Sequence, residues 1–358
     1  MRTPGLLLAT LLPTPLLPTP LLPIGRAQAP PAAPQAPAVP TARETMEAGI
    51  VWLVAHQDED GGFSASQFVR HDPKGDLCTG TGKPDQDFHV TAWATMALLA
   101  GSNGHRDSVA KAVDWIEARM GKDGFLGEPS APNAVAAHAI ACFASTEGTA
   151  LGGGRPLTEP LRALARLQLA DGTWPARPGE TKGDASATHW ACWAMISARE
   201  FHAIDFDFAP TIAFAQQQPA FLLPASEALL RTFAHHDRKQ DARLDQLCRD
   251  LAAHLPQWPA TPQAPGADFL AWQLGSAVLF QQGGEEWERW EAALEQALLP
   301  HQRTDGAHAG SWDPIDVRGR ECGRVYATAV NVLALSFGHR RAVLMRAAPR
   351  PPAGGQGK

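Results

Sequence analysis

The sequence predicts an all-α chain folded as a closed (α/α)6 toroid of six helical hairpins, and three observations carry that expectation. Amphipathic helical segments alternate with segments that are apolar almost all round. No stretch sustains the period of two that marks a half-buried strand. A phrase of glutamine, Asp-Gly turn and aromatic also returns, as "HQDEDGGF" at 56–63 and "QLADGTW" at 168–174.

Taken in order, the amphipathic members are "ETMEAGIVWLVAHQ", "SVAKAVDWIEARM", "EPLRALARLQL", "FAPTIAFAQQQ", "DARLDQLCRDLAAHL" and "EEWERWEAALEQALLPHQ". In the last of these Trp287, Trp290, Leu294, Ala297 and Leu298 share one face, the stripe expected of a helix with one side in water. Between them come "FHVTAWATMALL", "NAVAAHAIACFAS", "SATHWACWAMISA", "PASEALLRTFAHH", "DFLAWQLGSAVLFQQGG" and "GRVYATAVNVLALSFG". These are rich in alanine and lack a polar face, so they belong inside, with close neighbours. Each pair is a hairpin that cannot bury its apolar surface alone, which is the logic of repeat folds.

The recurring phrase is expected to be structural. Its glycine can take the left-handed conformation that stops an outer helix, and its aromatic can plug the seam to the next hairpin. It recurs as "MGKDGF" at 120–125 and, stretched, as "HQRTDGAHAGSW" at 301–312. The copies around "QQQPAF" and "HLPQW" have lost the Asp-Gly.

With its six-hairpin pattern and its Q-x-x-D-G-x-W phrase, the chain resembles the prenyltransferase and squalene-oxidase repeat proteins of the terpenoid cyclase and protein prenyltransferase superfamily. "CTGTGKPDQDFHVTAWATMALL", "GDASATHWACWAM", "LFQQGGEEWERWEAAL" and "GSWDP" followed by "GRVYATA" resemble more closely the secreted single-toroid members from planctomycete-type bacteria. The resemblance spans residues 44–338 and implies a fold without implying a reaction.

Domain organisation follows. Residues 1–29 read as an export signal, with Arg2, a leucine-rich stretch and an Ala27-Gln28-Ala29 end. Residues 30–43 form a Pro/Ala-rich linker, 44–338 the toroid, and 339–358 a disordered tail. An exported, periplasmic or extracellular location is therefore expected. No apolar run approaches the length of a membrane span, and a net charge of −6 offers no basic stripe for nucleic acid. The partner expected is a small molecule or a protein segment. Of the five cysteines, Cys78 and Cys322 lie in loops preceding the first and sixth inner helices. Ring closure should bring those loops together, and export would permit a disulfide between them.

Inner helices starting at one end of the ring should gather functional side chains at one mouth. Aligning Thr91, Thr188 and Thr328 places Asp87, Asp184 and Arg324 four residues earlier in each case. His89, Trp93, His138, His189 and Tyr326 complete the candidate ligand-binding set. Asp87 and Asp184 also suit helix capping, and either is a candidate counter-charge for Arg324. A squalene-type cyclase would need a D-x-D-D acid motif, and Asp85-Gln86-Asp87-Phe88 lacks its last acid. A prenyltransferase-like zinc site would take Asp76 and Cys78 with a histidine from His89, His138 or His189. Neither pattern is complete, so a binding or scaffolding role with no cofactor is expected ahead of catalysis. The alternative is an enzyme using the mouth on an isoprenoid or a glycan.

Overall fold

A computed structural model describes residues 40–101, 105–150, 158–202, 206–220, 223–261 and 266–339. The expected signal peptide, most of the linker and nearly all of the C-terminal tail lie outside these residues. The described residues form twelve α-helices and no strand, and none of the helices is long and apolar enough to cross a membrane.

The outer helices are α1 (Ala42–Ala55), α3 (Arg106–Glu117), α5 (Thr158–Arg166), α7 (Ala209–Gln217), α9 (Ala242–Ala253) and α11 (Gly284–Leu298). The inner helices are α2 (Asp87–Ala100), α4 (Ala134–Ala150), α6 (Ala185–His202), α8 (Pro224–Phe233), α10 (Phe269–Gln282) and α12 (Val317–His339). Each inner helix packs on the next, α2 on α4 on α6 on α8 on α10 on α12, and α12 returns to α2. The ring is therefore closed. Local signals set the helix starts: Thr41 and Glu44 form a capping box on α1, while Asp241 and Asp268 cap α9 and α10.

The recurring phrase holds adjacent hairpins together, by a route only partly foreseen. Outer helix α1 ends at His56, before the glycine. Gly61, at φ +95°, sits in the turn that follows, where a Cβ would lie 2.1 Å from the Lys111 carbonyl of α3. Gly124 meets Glu159 of α5 in the same way, Gly172 meets Pro210 of α7, and Gly310 meets Ala48 of α1. In the stretched copy Gly310 thus takes the role expected of Gly306. Glycine is required here by a positive φ and by a backbone from the next outer helix.

Glutamine and aromatic complete the joint. The Gln57 amide donates to Gly61 O and to Ser108 O at the start of α3, both at 2.9 Å. Gln302 donates to Gly310 O and to Thr45 O of α1, both at 2.8 Å, and so joins the last seam to the first helix. The backbone N–H of Phe63 donates to Thr91 Oγ1, that of Trp174 to Thr188 Oγ1, and that of Trp312 to Thr328 Oγ1. In the second copy Leu126, and not Phe125, occupies this place, donating to His138 Nδ1 at 2.9 Å. Trp174 and Trp312 are fully buried, and their indole N–H groups reach the carbonyls of Leu164 and Leu298 at the ends of their own outer helices.

The candidate chamber and its surroundings

Three inner helices send aromatics into the lumen. Trp93 of α2 meets Trp190 of α6 edge to face at 5.0 Å and Tyr326 of α12 at 5.5 Å. Because α2 and α6 are separated around the ring by α4, this contact crosses the interior and closes it. Beneath lies a void of about 20 Å3 bounded in part by Met96, Phe143, Trp193, Gln273 and Leu333, room for about one water. Trp193 Nε1 and Gln273 Oε1 in its lining are buried without a protein partner, as are both ring nitrogens of His189, Tyr326 OH and the Asn331 amide elsewhere on the inner helices. Buried polar groups normally have partners, so Trp193 Nε1 and Gln273 Oε1 suit a water in the void.

The histidines of this region are neutral. Burial, helped by the nearby Arg318 charge, pushes His89 down to about 4 and His189 down to about 3. The Trp93 indole donates to His89 Nε2 at 3.0 Å. Burial pushes Tyr326 well above its usual range, with the Asp316 carboxylate adding to it. Burial also raises Asp316 to about 6, against the Gly319 N–H that bonds its Oδ1 at 2.8 Å. Asp316 and Arg318 escaped the sequence reading because they precede the inner-helix pattern. Their only signal was a pair of charges inside "DPIDVRG", just before a glycine-rich turn.

Of the eight candidate ligand-binding residues, His89, Trp93, His189 and Tyr326 lie in this inner region, and the other four serve the walls. Asp87 accepts from the Ala65 N–H at 2.8 Å and from Ser64 Oγ at 3.2 Å. Asp184 accepts from the Ala187 N–H at 2.8 Å as a cap of α6. His138 is locked in a seam, accepting from Leu126 N and facing Pro160 O at 3.1 Å, which sets its proton on Nε2. Arg324 is buried and binds Thr79 O at 2.7 Å, Ser311 Oγ at 2.9 Å and the Asp313 carboxylate. Its counter-charge is therefore Asp313, and neither Asp87 nor Asp184 as expected.

Asp76 and Cys78, the candidates for a prenyltransferase-like zinc site, have separate partners. Asp76 accepts from the Ala307 N–H at 2.9 Å, and Cys78 turns instead to Asp72 and the Ala307 carbonyl. The Cys78–Cys322 disulfide is not formed, since both thiols are free. The two loops do meet, through Lys83 N to Glu321 O at 2.7 Å and Arg324 N to Gly80 O at 2.8 Å. Within that contact the Cys322 thiol points to Gln86 Oε1, away from the partners of Cys78.

A second and larger space lies between α8, α9 and α10. It measures about 1070 Å3 and is walled by the start of α8, the end of α9, the first turns of α10 and Trp290 of α11. Trp258 and Trp272 face it, with Leu251, Leu255 and Leu274. This is the seam of "HLPQW", where the Asp-Gly joint has been lost. Trp258 stacks on His301 at 4.3 Å and does not repeat the indole contact of Trp174. Where intact copies press a glycine on the next outer helix, this one leaves a cavity.

Comparison with known proteins agrees with this architecture. The squalene-hopene cyclase C-terminal domain matches residues 32–136. Type II terpene cyclase MstE from Scytonema, in a substituted form bound to geranylgeranyl dihydroxybenzoate, superposes with a TM-score of 0.53 at 13% identity, covering 83% of this chain and 97% of that one. Its apo form gives 0.52 at 16% identity, covering 82% and 97%. The chain therefore shares the α/α-toroid fold of these type II terpene cyclases. No curated protein matches the toroid in sequence.

Proposed function

We propose that the protein is an exported binding toroid whose ligand, a small apolar molecule, enters the cavity between α8, α9 and α10. The observation carrying this reading is the coincidence of that cavity with the degenerate seam. Its volume suits a small ligand, and its wall joins several indole and aliphatic surfaces to a few polar groups. The described lining includes Asp250 and Asp268 and contains no lysine or arginine. The preferred ligand is therefore uncharged or cationic, since the aromatic faces also accept cations. Thermal-shift and tryptophan-fluorescence titrations with isoprenoid alcohols, sterol-like compounds and hydrophobic amines test the assignment. A saturable ligand should bind at least about tenfold more weakly to Leu255→Arg, a change at a half-exposed wall position. No saturable binder, or one indifferent to Leu255→Arg, would reject it.

Catalysis on an isoprenoid is the second reading, favoured by Asp316. A buried carboxyl with a pKa of about 6 in the neighbourhood of Tyr326 has the chemistry of a general acid, and the fold is one that type II terpene cyclases use. Against it, the void of about 20 Å3 admits no polyprenyl chain unless Trp93, Trp190 and Tyr326 separate. Incubation with geranylgeranyl substrates and mass spectrometry of the products decides between the readings. A cyclised product lost in Asp316→Asn would favour the enzyme. The glycan reading loses its support, because Asp87 and Asp184 are committed to backbone N–H groups.

A further inference from the structure

We propose that His56, Asp72 and Cys78 form a structural site for a zinc-class divalent cation that clasps the first hairpin to the last. None of its three residues lines the void in the lumen or the cavity beside α9. His56 Nε2 is 2.9 Å from Asp72 Oδ1, Cys78 Sγ is 3.3 Å from the same oxygen, and the three donor atoms lie within 4.8 Å of one another. The His56 and Asp72 side chains are 6% and 1% exposed, and Cys78 is also buried.

The hydrogen bonding around His56 points to a cation. Its Nδ1 lies 2.7 Å from the Trp52 carbonyl, an acceptor only, so Nδ1 carries a proton. In a neutral ring Nε2 then presents a lone pair directly to a carboxylate oxygen, two acceptors facing each other. Either a second proton or a metal ion must lie between them. This is the arrangement in which a metal-bound histidine is oriented through its far nitrogen by a carbonyl. Asp72 Oδ2 is held in turn by the Cys78 N–H at 2.7 Å.

Imidazole, carboxylate and thiolate together form a set that zinc accepts, with one position left for a carbonyl or water. Ala307 O stands 3.1 Å from Sγ and also accepts from Trp52 Nε1 at 2.9 Å. On binding, the Cys78 thiol gives its proton to solvent and its sulfur pair to the ion. A dication with one carboxylate and one thiolate makes the buried group neutral. Because the donors come from the end of α1, from the α1–α2 loop and, beside them, from the α11–α12 loop, the ion would fix the closing seam.

Metal analysis of the full chain, purified without chelator and without a metal-affinity tag, is the direct test. About one zinc per chain is expected, falling below about a tenth in Asp72→Asn and Cys78→Ser. Asp72→Asn also keeps the fold testable. Its amide can donate to His56 Nε2 and accept from Cys78 N–H, so it should fold without metal and lose the melting-temperature drop that a chelator causes in wild type. Cobalt loaded by refolding should give a thiolate charge-transfer band, absent in Cys78→Ser. Wild-type protein that refolds with equimolar zinc yet retains none, and melts identically with and without chelator, overturns the proposal. It would leave His56 and Asp72 joined by a hydrogen bond alone.

Discussion

Replacing Trp174 with alanine tests the account of the seams most directly. The side chain is fully buried, packs within 5.7 Å of Phe206 and donates from Nε1 to Leu164 O at 2.8 Å. Truncating a buried indole costs about 3 to 5 kcal/mol through lost transfer energy and the cavity left behind. Stranding the Leu164 carbonyl adds about 1 kcal/mol. A loss of about 4 to 6 kcal/mol is expected, read from urea unfolding as a lower midpoint at unchanged slope. Trp174→Phe keeps most of the volume and loses only the indole bond, so it should cost about 1 to 2 kcal/mol. An alanine variant within about 1 kcal/mol of wild type, or a phenylalanine variant as damaged as alanine, would refute the assignment of Trp174 as a volume-filling plug.

Two further outcomes follow from the same geometry. Asp316 binds its proton more tightly folded than unfolded, so its contribution is fully present below about pH 4 and is lost as pH rises through about 6. It should amount to about 3 kcal/mol at most, and Asp316→Asn, which can still accept from the Gly319 N–H, should flatten that part of the stability-against-pH curve. Among the seam glutamines, Gln302→Ala and Gln57→Ala each remove two bonds of 2.8 to 2.9 Å. They should cost more than Gln168→Ala, whose bonds are 3.2 and 3.4 Å long. Denaturant midpoints of the three variants check the order.

The architecture was legible because it rests on periodicity. Every expected helix is present, since an apolar stripe at a helical period and an apolar cylinder each dictate one placement. The repeated phrase was legible as structural, yet its detail was not, because which glycine meets the next helix depends on loop length. Gly310 replaces Gly306 for that reason, and Leu126 replaces Phe125. The candidate site was half legible. His89, Trp93, His189 and Tyr326 sit on inner faces and fall inward, whereas Asp87, Asp184 and Arg324 are spent on loops whose paths no helical pattern reveals. His56 stood inside the first quoted phrase, but its partner Asp72 lies sixteen residues away across an irregular loop. The cavity beside α9 had a signal in the missing Asp-Gly of "HLPQW", which marks a joint left open.

Closure of the ring bears on how copies of this chain avoid one another. A run of six hairpins with an unsealed end would expose two faces, each complementary to the other, and such head-to-tail pairing has no natural stopping point. Apolar area alone would not tell the chain's own far end from a neighbour's. The sealing contact instead relies on directional bonds: Gln302 to Thr45, Asp76 to Ala307, Lys83 to Glu321 at 2.9 Å and Arg324 to Thr79. These demand one register, and the tether that makes them intramolecular gives the chain's own end a higher effective concentration than any neighbour's. The last seam thus acts as a terminator, and residues remote from any ligand decide whether a ring or a filament forms.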